Sequence, residues 1–177
     1  ILCISAKTGE NIDRLITALN QSGEHCRRIL DIDYDIYAAG EAELGWLNAN
    51  ISIQAEVEFD LDLILTNLLQ QMVDEMHELG SEVAHLKVIG QAEGAYAVAN
   101  ASSNDQPVQL SLASEHRTRF AELVVNARIA IPPETLEATF RKVLEHLANR
   151  NSLVVATTAL NCLKPGRPVP THRFNGD

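Results

Sequence analysis

The chain has 177 residues, of which 46% are hydrophobic and 21% are charged. This is enough for one domain of ordinary size, or for one domain and part of another. The apolar fraction excludes an intrinsically disordered protein, and no apolar run approaches the roughly 18 residues of a membrane span. Fourteen Lys and Arg residues against 24 Asp and Glu give a net charge of −10, which argues against a nucleic-acid-binding protein.

The cysteines bear on the cellular compartment. Cys3, Cys26 and Cys162 are an odd number without a paired spacing, so a disulfide framework is not expected. A basic segment followed by an apolar one, the pattern of a secretory leader, is not seen. We therefore expect a cytoplasmic protein without a membrane partner.

The first 23 residues have the pattern of one strand and one helix. The apolar run Ile1-Leu2-Cys3-Ile4 predicts a buried strand of a parallel sheet. Polar residues 5–11 predict a turn, in which Asn11 can cap a helix over residues 12–20. A parallel strand needs neighbours, so we expect residues 1–23 to be the last strand and helix of an α/β domain in a longer protein. The alternative is a strand that joins a sheet formed downstream.

Residues 24–45 are predicted to be a connector, and a second pattern begins near Trp46. Apolar and polar residues alternate from Leu47 to Glu58, which predicts a strand with one buried face. A helical stripe follows from Asp60 to Gly80, with Gly80 as the residue after the helix. The later predicted elements are strands at 83–89, 95–101, 108–113 and 122–131, a helix opened by Pro132 and Pro133, and a strand at 153–162. Gly90 and Gly94 are predicted to mark turns.

This order of elements predicts the fold of residues 46–177. Two helices on one face of an antiparallel sheet bury both helical stripes economically. The fold class is therefore α+β, a two-layer sandwich of ferredoxin-like character preceded by the strand and helix of residues 1–23. The extra strand at 108–113 is expected as a hairpin insertion or an edge.

The turn Ser5-Ala6-Lys7 is the most suggestive site. It follows a predicted parallel strand, where α/β sheets bind ligands. Short polar side chains and free N–H groups there can contact the edge of a base, although many strand-to-helix turns have the same composition.

Other candidate sites fail on their spacing. Asp31, Asp33 and Asp35 alternate, but an EF-hand loop needs Gly and Glu where this chain has Ile36 and Ala42. The glycines at 40 and 45 have the separation of a phosphate loop, yet Trp-Leu follows in place of Lys-Ser/Thr. His25-Cys26 offers only two of the four ligands of a zinc site. No catalytic set and no metal site is therefore predicted.

The C-terminal tail changes composition. The residues that could act there are Lys164, Arg167, His172 and Arg173, between prolines at 165, 168 and 170 that favour extended backbone. Such a tail could clamp an anionic ligand or dock on a neighbouring domain. A frayed terminus is the alternative.

Three segments carry a resemblance to a known family. Residues 5–15, SAKTGENIDRL, look like the fifth guanine-recognition motif and following helix of a GTPase domain. Residues 37–49 and the segment KPGRPVPTHR at 164–173 resemble the linker and C-terminal signature of CobW-type cobalamin-synthesis proteins. That family comprises P-loop GTPases, many proposed to be metallochaperones, with an appended C-terminal α+β domain.

The resemblance implies a function for the intact protein. Ser5, Ala6 and Lys7 would contact the guanine base of GTP, with Mg²⁺ and a transition metal such as zinc or cobalt as further cofactors. The Walker A loop, magnesium ligands and cysteine motif would lie upstream of Ile1, so this chain alone is expected to bind no cofactor and to catalyse nothing. Residues 46–177 would contact a client metalloprotein or another protomer and respond to the nucleotide. The alternative is a stand-alone α+β protein-interaction module that binds no nucleotide.

Overall fold

The computed structural model describes residues 2–6, 8–21, 36, 40 and 43–166, which belong to two compact units. In the first, helix α1 (Ile12–Asn20) confirms the predicted helix. The predicted strand is wrong for residues 2–4, which form no strand, because no described strand of this unit lies beside them to complete a ladder. Asn11 does not cap the helix with its side chain. Its Nδ2 instead donates a hydrogen bond to the Cys3 carbonyl oxygen over 2.9 Å, and its φ is 56°.

The apolar face of α1 is largely exposed. No residue of the helix is buried, and the side chains of Ile16 and Leu19 are 50% and 71% exposed. An apolar helix face of this kind gains stability only when another surface covers it. The first unit therefore has local structure without a core of its own among the described residues.

The second unit contains a six-stranded antiparallel sheet and two long helices. Its elements are β1 (Gly45–Asp60), α2 (Leu61–Glu78), β2 (Val83–Ala92), β3 (Ala95–Ala101), β4 (Gln109–Leu112), β5 (Arg117–Ile129), α3 (Pro133–Asn151) and β6 (Val154–Leu163). The strand order is β4-β3-β2-β5-β1-β6. The predicted α+β class is confirmed. The predicted connector lies mostly outside the described residues, although Ile36 and Gly40 are helical.

Four of the strands have the ferredoxin-like arrangement. β2, β5, β1 and β6 are neighbours in that order, and α2 and α3 follow β1 and β5 in the chain. The hairpin of β3 and β4 extends the sheet beyond β2. The strand predicted at 108–113 is therefore β4, and it lies at the edge as expected.

Both helices pack on the same face of the sheet, where strand residues alternate between buried and exposed. The core includes Leu47, Ile51, Ile53, Leu86, Val88, Leu123 and Val125 of the sheet, with Leu65, Leu68, Met72, Phe140, Val143 and Leu147 of the helices. All have at most 1% of their surface exposed. A continuous core of this size explains why the alternation is so regular in the sequence.

Glycines mark a close approach, a turn and a helix end. Gly90 was predicted to begin a turn, but it lies within β2, where a Cβ would meet Leu65 Cδ1 at 2.9 Å and Leu61 Cδ1 at 3.0 Å. The chain turns instead at Glu93 and Gly94, whose φ values of 48° and 83° fit a type I′ hairpin turn. Gly80, with φ of 65°, follows α2 as predicted.

The edge strand β6 contains a bulge. Asn50 of β1 pairs with Ala159, whereas Ile51 pairs with Thr157, so Thr158 is the extra residue. The Thr158 hydroxyl donates a hydrogen bond to the Asn50 carbonyl oxygen over 3.1 Å. The Thr158 side chain therefore anchors the bulge.

Candidate functional site

The sheet face opposite α2 and α3 carries mostly polar side chains, and we call it the open face. Successive residues of a strand point to opposite sides of a sheet, so the open face is formed by the residues that alternate with the buried ones. Its members on the three central strands are Trp46, Asn48, Asn50, Ser52 and Gln54 of β1, His85, Lys87, Ile89 and Gln91 of β2, and Phe120, Glu122, Val124, Asn126 and Arg128 of β5.

A row of amide side chains crosses the open face. Asn48 is paired with Asn161 on one side and with Asn126 on the other, and Lys87 lies between Asn126 and Asn100. Asn126 Nδ2 donates a hydrogen bond to Asn48 Oδ1 over 2.6 Å. Primary amides offer both donors and acceptors. The amide side chains of the row can therefore bind both donors and acceptors, although they carry no charge.

An aromatic–cation pair lies beside this row. Trp46 is paired with Arg128 across β1 and β5, and the Arg128 guanidinium carbon lies 4.2 Å from the centroid of the indole ring. This is a cation–π contact, which orients the guanidinium. The indole Nε1 is shielded from solvent and has no acceptor among the described residues. A cavity of 280 Å³ at this point is lined by both side chains and by Asn48, His85 and Asn126.

Two more nitrogen-bearing side chains continue the site onto β2. His85 is paired with Arg128, and Lys87 lies two residues further along the same strand. Both line a second cavity of 240 Å³, which Asn100 and Gln109 also line. Burial lowers the pKa of His85, and the charges of Arg128 and Lys87 lower it further. His85 is therefore neutral near pH 7 unless an anion joins it.

We call Trp46, His85, Lys87 and Arg128 the basic cluster. Neither Arg128 nor Lys87 forms an ion pair with a carboxylate within the described part of the chain. Lys142, in contrast, is bound by Glu75 over 2.7 Å. In a chain with a net charge of −10, cations left without a carboxylate partner are suited to bind an anionic group.

Another cavity has a different character. It measures 590 Å³ and is lined by Glu43, Glu82 and Asp105 together with His77 and Asn104. Asn104 is hydrogen-bonded through both ends of its amide, because its Oδ1 accepts from Val83 N over 2.9 Å and its Nδ2 donates to the Ser81 carbonyl oxygen over 2.7 Å. Among the described residues, no group of three or more His, Cys, Asp or Glu side chains is placed to hold a metal ion.

The Ser5-Ala6-Lys7 turn is only partly described, because Lys7 lies outside the described residues. The Ser5 hydroxyl accepts a hydrogen bond from Thr8 N over 3.2 Å, and Ser5 N donates to the Glu10 carbonyl oxygen over 3.1 Å. Ala6 is exposed, and its N–H makes no hydrogen bond to another described residue. The exposed N–H of Ala6 is therefore a free backbone donor at this turn.

The remaining sequence candidates are mostly outside the described residues. Lys164 is exposed at the end of β6. Arg167, His172 and Arg173 of the tail lie outside the described part, as do the three aspartates of the connector and His25-Cys26. Gly45 is the first residue of β1, and a Cβ there would lie 2.5 Å from the Ile131 carbonyl oxygen, so its role is close packing.

Comparison with known proteins adds no relative to this picture. No family model, no curated protein and no solved structure matches the chain. In addition, no helix among the described residues is long and apolar enough to cross a membrane.

Sequence reasoning missed the basic cluster. The one indication in the sequence was the alternation of apolar and polar residues in β1, which predicted a solvated face that carries Asn48 and Asn50. The pairing of Trp46 with Arg128 joins positions 82 residues apart, and the pattern within each strand contains no information on that register.

Proposed function

We propose that the chain is the C-terminal part of a GTP-binding protein of the CobW type, acting in the cytoplasm as a metallochaperone in cobalamin synthesis. The support for the family is the resemblance of residues 5–15, 37–49 and 164–173. In this proposal Ser5, Ala6 and Lys7 contact the guanine base, and the free N–H of Ala6 accords with that role. The α+β unit contacts a client metalloprotein or another protomer and couples that contact to the bound nucleotide.

One observation carries the interaction role. The sheet buries one face under α2 and α3 and leaves the open face accessible, with the exposed aromatic Phe120 and the basic cluster upon it. Protein interfaces are enriched in aromatic residues and Arg. The open face thus has the composition of a contact surface.

The cofactors of the proposal differ in how they fit the chain. The resemblance assigns the Ser5-Ala6-Lys7 turn to the guanine base, but the sequence contains no Gly-x-x-x-x-Gly-Lys-Ser/Thr loop for the phosphates and Mg²⁺. The described residues do not fit a zinc or cobalt ion. Accordingly, no step of the proposal requires this chain to hold a metal or to hydrolyse GTP.

The reading frame upstream of the codon for Ile1 tests the family. A phosphate loop followed by a cysteine cluster supports the proposal, and a start codon at that point favours the stand-alone interaction module instead. Titration calorimetry with GTP and ATP provides the second test. We expect no micromolar binding of either nucleotide to the 177-residue chain, and micromolar GTP binding by this chain alone contradicts the proposal.

A third test addresses the contact surface. Asn126→Glu places a carboxylate in the centre of the amide row, and Asn149→Glu on the exposed side of α3 is the control that makes the same change of charge. If the partner is another protomer, sedimentation over a concentration series shows weaker self-association for Asn126→Glu and no change for the control. Equal self-association of both variants assigns the contact to a client protein or to another surface.

A further inference from the structure

We propose that the basic cluster on the open face binds an extended acidic peptide segment of a partner protein, with carboxylates at alternate positions. This inference deepens the proposed function and rests on the open face being the contact surface. It names the chemistry of the partner.

The charges favour an anionic ligand. Arg128 and Lys87 stand on adjacent strands without a carboxylate partner among the residues that the structure describes. The cation–π contact with Trp46 holds the guanidinium in place, which reduces the side-chain entropy that binding costs. A carboxylate bound here gains charge-assisted hydrogen bonds, which are stronger than neutral ones.

The spacing of the two cations fits alternate residues of a peptide. Lys87 is paired with Asn126, so Arg128 is its diagonal neighbour on β5, and diagonal neighbours in an antiparallel sheet are about 7–8 Å apart. Side chains at alternate positions of an extended peptide are separated by about 6.6–6.8 Å. One carboxylate can therefore reach Arg128 while the next reaches Lys87.

The two cavities have the size of side-chain pockets. They measure 280 and 240 Å³, and His85 lines both, so they adjoin. Pockets for whole small-molecule ligands are about 300–1,000 Å³. Each cavity is thus suited to single side chains of a peptide that crosses the strands. The amide row of Asn48 and Asn126 beside them can bind the peptide backbone.

The overall charge argues against the other class of polyanion. A net charge of −10 repels any anion at long range, and it repels a nucleic acid with its many phosphates more strongly than a peptide with two carboxylates. Two cations are also few for a phosphate backbone, whereas they match two carboxylates. The acidic peptide is therefore the occupant that the charges favour.

The test uses the fluorescence of Trp46, which is the only tryptophan of the chain. The 177-residue protein is titrated with a peptide of sequence Gly-Ser-Glu-Ser-Glu-Ser-Gly, and with the same peptide carrying Gln in place of both Glu. We expect saturable binding of the Glu peptide only, with an affinity that falls as the salt concentration rises. Equal binding of both peptides, or no binding of either, overturns the inference.

Variants locate the site. Arg128→Gln and Lys87→Gln are each expected to weaken binding of the Glu peptide about tenfold or more, because each removes a charged hydrogen-bond donor. Arg150→Gln, an exposed position on α3, makes the same change of charge away from the open face and is expected to leave the affinity unchanged. An equal loss with Arg150→Gln shows a non-specific charge effect and contradicts the site.

Two further readouts complete the test. Because Arg128→Gln also removes the cation from the indole ring, the affinity of that variant is measured by calorimetry as well as by fluorescence. Tighter binding of a single-stranded oligonucleotide than of the Glu peptide assigns the open face to nucleic acid and overturns the inference. The proposed family is judged separately by the upstream reading frame and nucleotide titration, so a failure of peptide binding leaves that result untouched.

Discussion

The carboxylate of Asp62 binds Ser114 at two points, although the residues are 52 positions apart in the chain. Its Oδ1 accepts hydrogen bonds from Ser114 N over 2.9 Å and from the Ser114 hydroxyl over 2.7 Å, and its Oδ2 accepts one from Glu115 N over 2.9 Å. One side chain in the first turn of α2 thus holds the loop between β4 and β5.

Asp62→Ala is expected to lower the free energy of unfolding by about 1–3 kcal/mol, since it leaves backbone donors without their acceptor. Urea denaturation measures this loss. Asp74→Ala on the same helix is the control, because Asp74 accepts only from the exposed Gln70 side chain and should change stability by less than about 0.5 kcal/mol. Equal losses of stability in both variants would contradict the role of Asp62 in holding the loop between β4 and β5.

The same carboxylate predicts an acid dependence. Burial raises the pKa of Asp62, but the hydrogen bonds from Ser114 and Glu115 outweigh burial and hold the pKa below its usual value. Asp62 therefore adds stability above the pKa of the unfolded state, and this contribution is lost as the pH falls through the folded-state pKa. Urea midpoints from pH 6 down to pH 3 should converge for the wild type and Asp62→Ala. A constant difference between them would contradict the prediction.

Substitution of Gly45 or Gly90 by Ala should lower the free energy of unfolding to different extents. A Cβ at Gly45 would lie 2.5 Å from the backbone oxygen of Ile131, whereas at Gly90 it would meet the side-chain tips of the buried Leu65 and Leu61. We expect Gly45→Ala to destabilise the fold by about 1–3 kcal/mol. Gly90→Ala should destabilise the fold less, because a side-chain tip can shift more easily than the backbone. In addition, Ala lowers the conformational entropy of the unfolded chain, which favours the folded state. Thermal unfolding compares the two, and the reverse order would refute the packing argument.

The hairpin turn between β2 and β3 offers a stabilising change. Glu93 and Gly94 both have positive φ, and Asn tolerates that region better than Glu. Glu93→Asn should therefore raise the free energy of unfolding, while Gly94→Ala should lower it. Glu93 Oε2 lies 3.6 Å from His116 Nε2, which is beyond hydrogen-bond range, so this contact adds little. A loss of stability in Glu93→Asn would show that the contact matters more than the turn.

His85 should titrate abnormally. Burial first, and the charges of Arg128 and Lys87 second, lower its pKa in the folded state. The contribution of His85 to stability is present above the unfolded pKa near 6.5 and is lost as the pH falls through the folded-state pKa. An NMR titration should give a pKa below 6.5 that rises in Arg128→Gln. A pKa at or above 6.5 in the free protein would contradict the arrangement of the basic cluster.

Local patterns predicted most of the sheet and its helices, and non-local contacts account for the errors. The alternation of β1 and the stripe of α2 are each visible within one element, because both bury residues at a fixed period. Gly90 was interpreted as a turn because only the packing of α2 against β2 explains a glycine within that strand. Asn11 appeared to be a helix cap because the carbonyl of Cys3, its actual partner, is not recognisable as an acceptor in the sequence.

The site was less predictable than the fold. The Ser5-Ala6-Lys7 turn was visible as a contiguous segment, but the basic cluster is assembled from three strands whose register the sequence does not encode locally. Arg128 and His85 have no distinguishing pattern of their own in the chain. They form a site only because His85 on β2 is paired with Arg128 on β5.

The bulge at Thr158 has a consequence for the behaviour of the protein at high concentration. β6 is a ten-residue edge strand without a charged residue or a proline, a composition that invites fibrillar stacking of neighbouring molecules. The extra residue divides this strand into one segment of four residues and another of five, neither of which offers a long regular ladder. The bulge at Thr158 therefore shortens the regular stretch of backbone that the β6 edge offers to a neighbouring molecule.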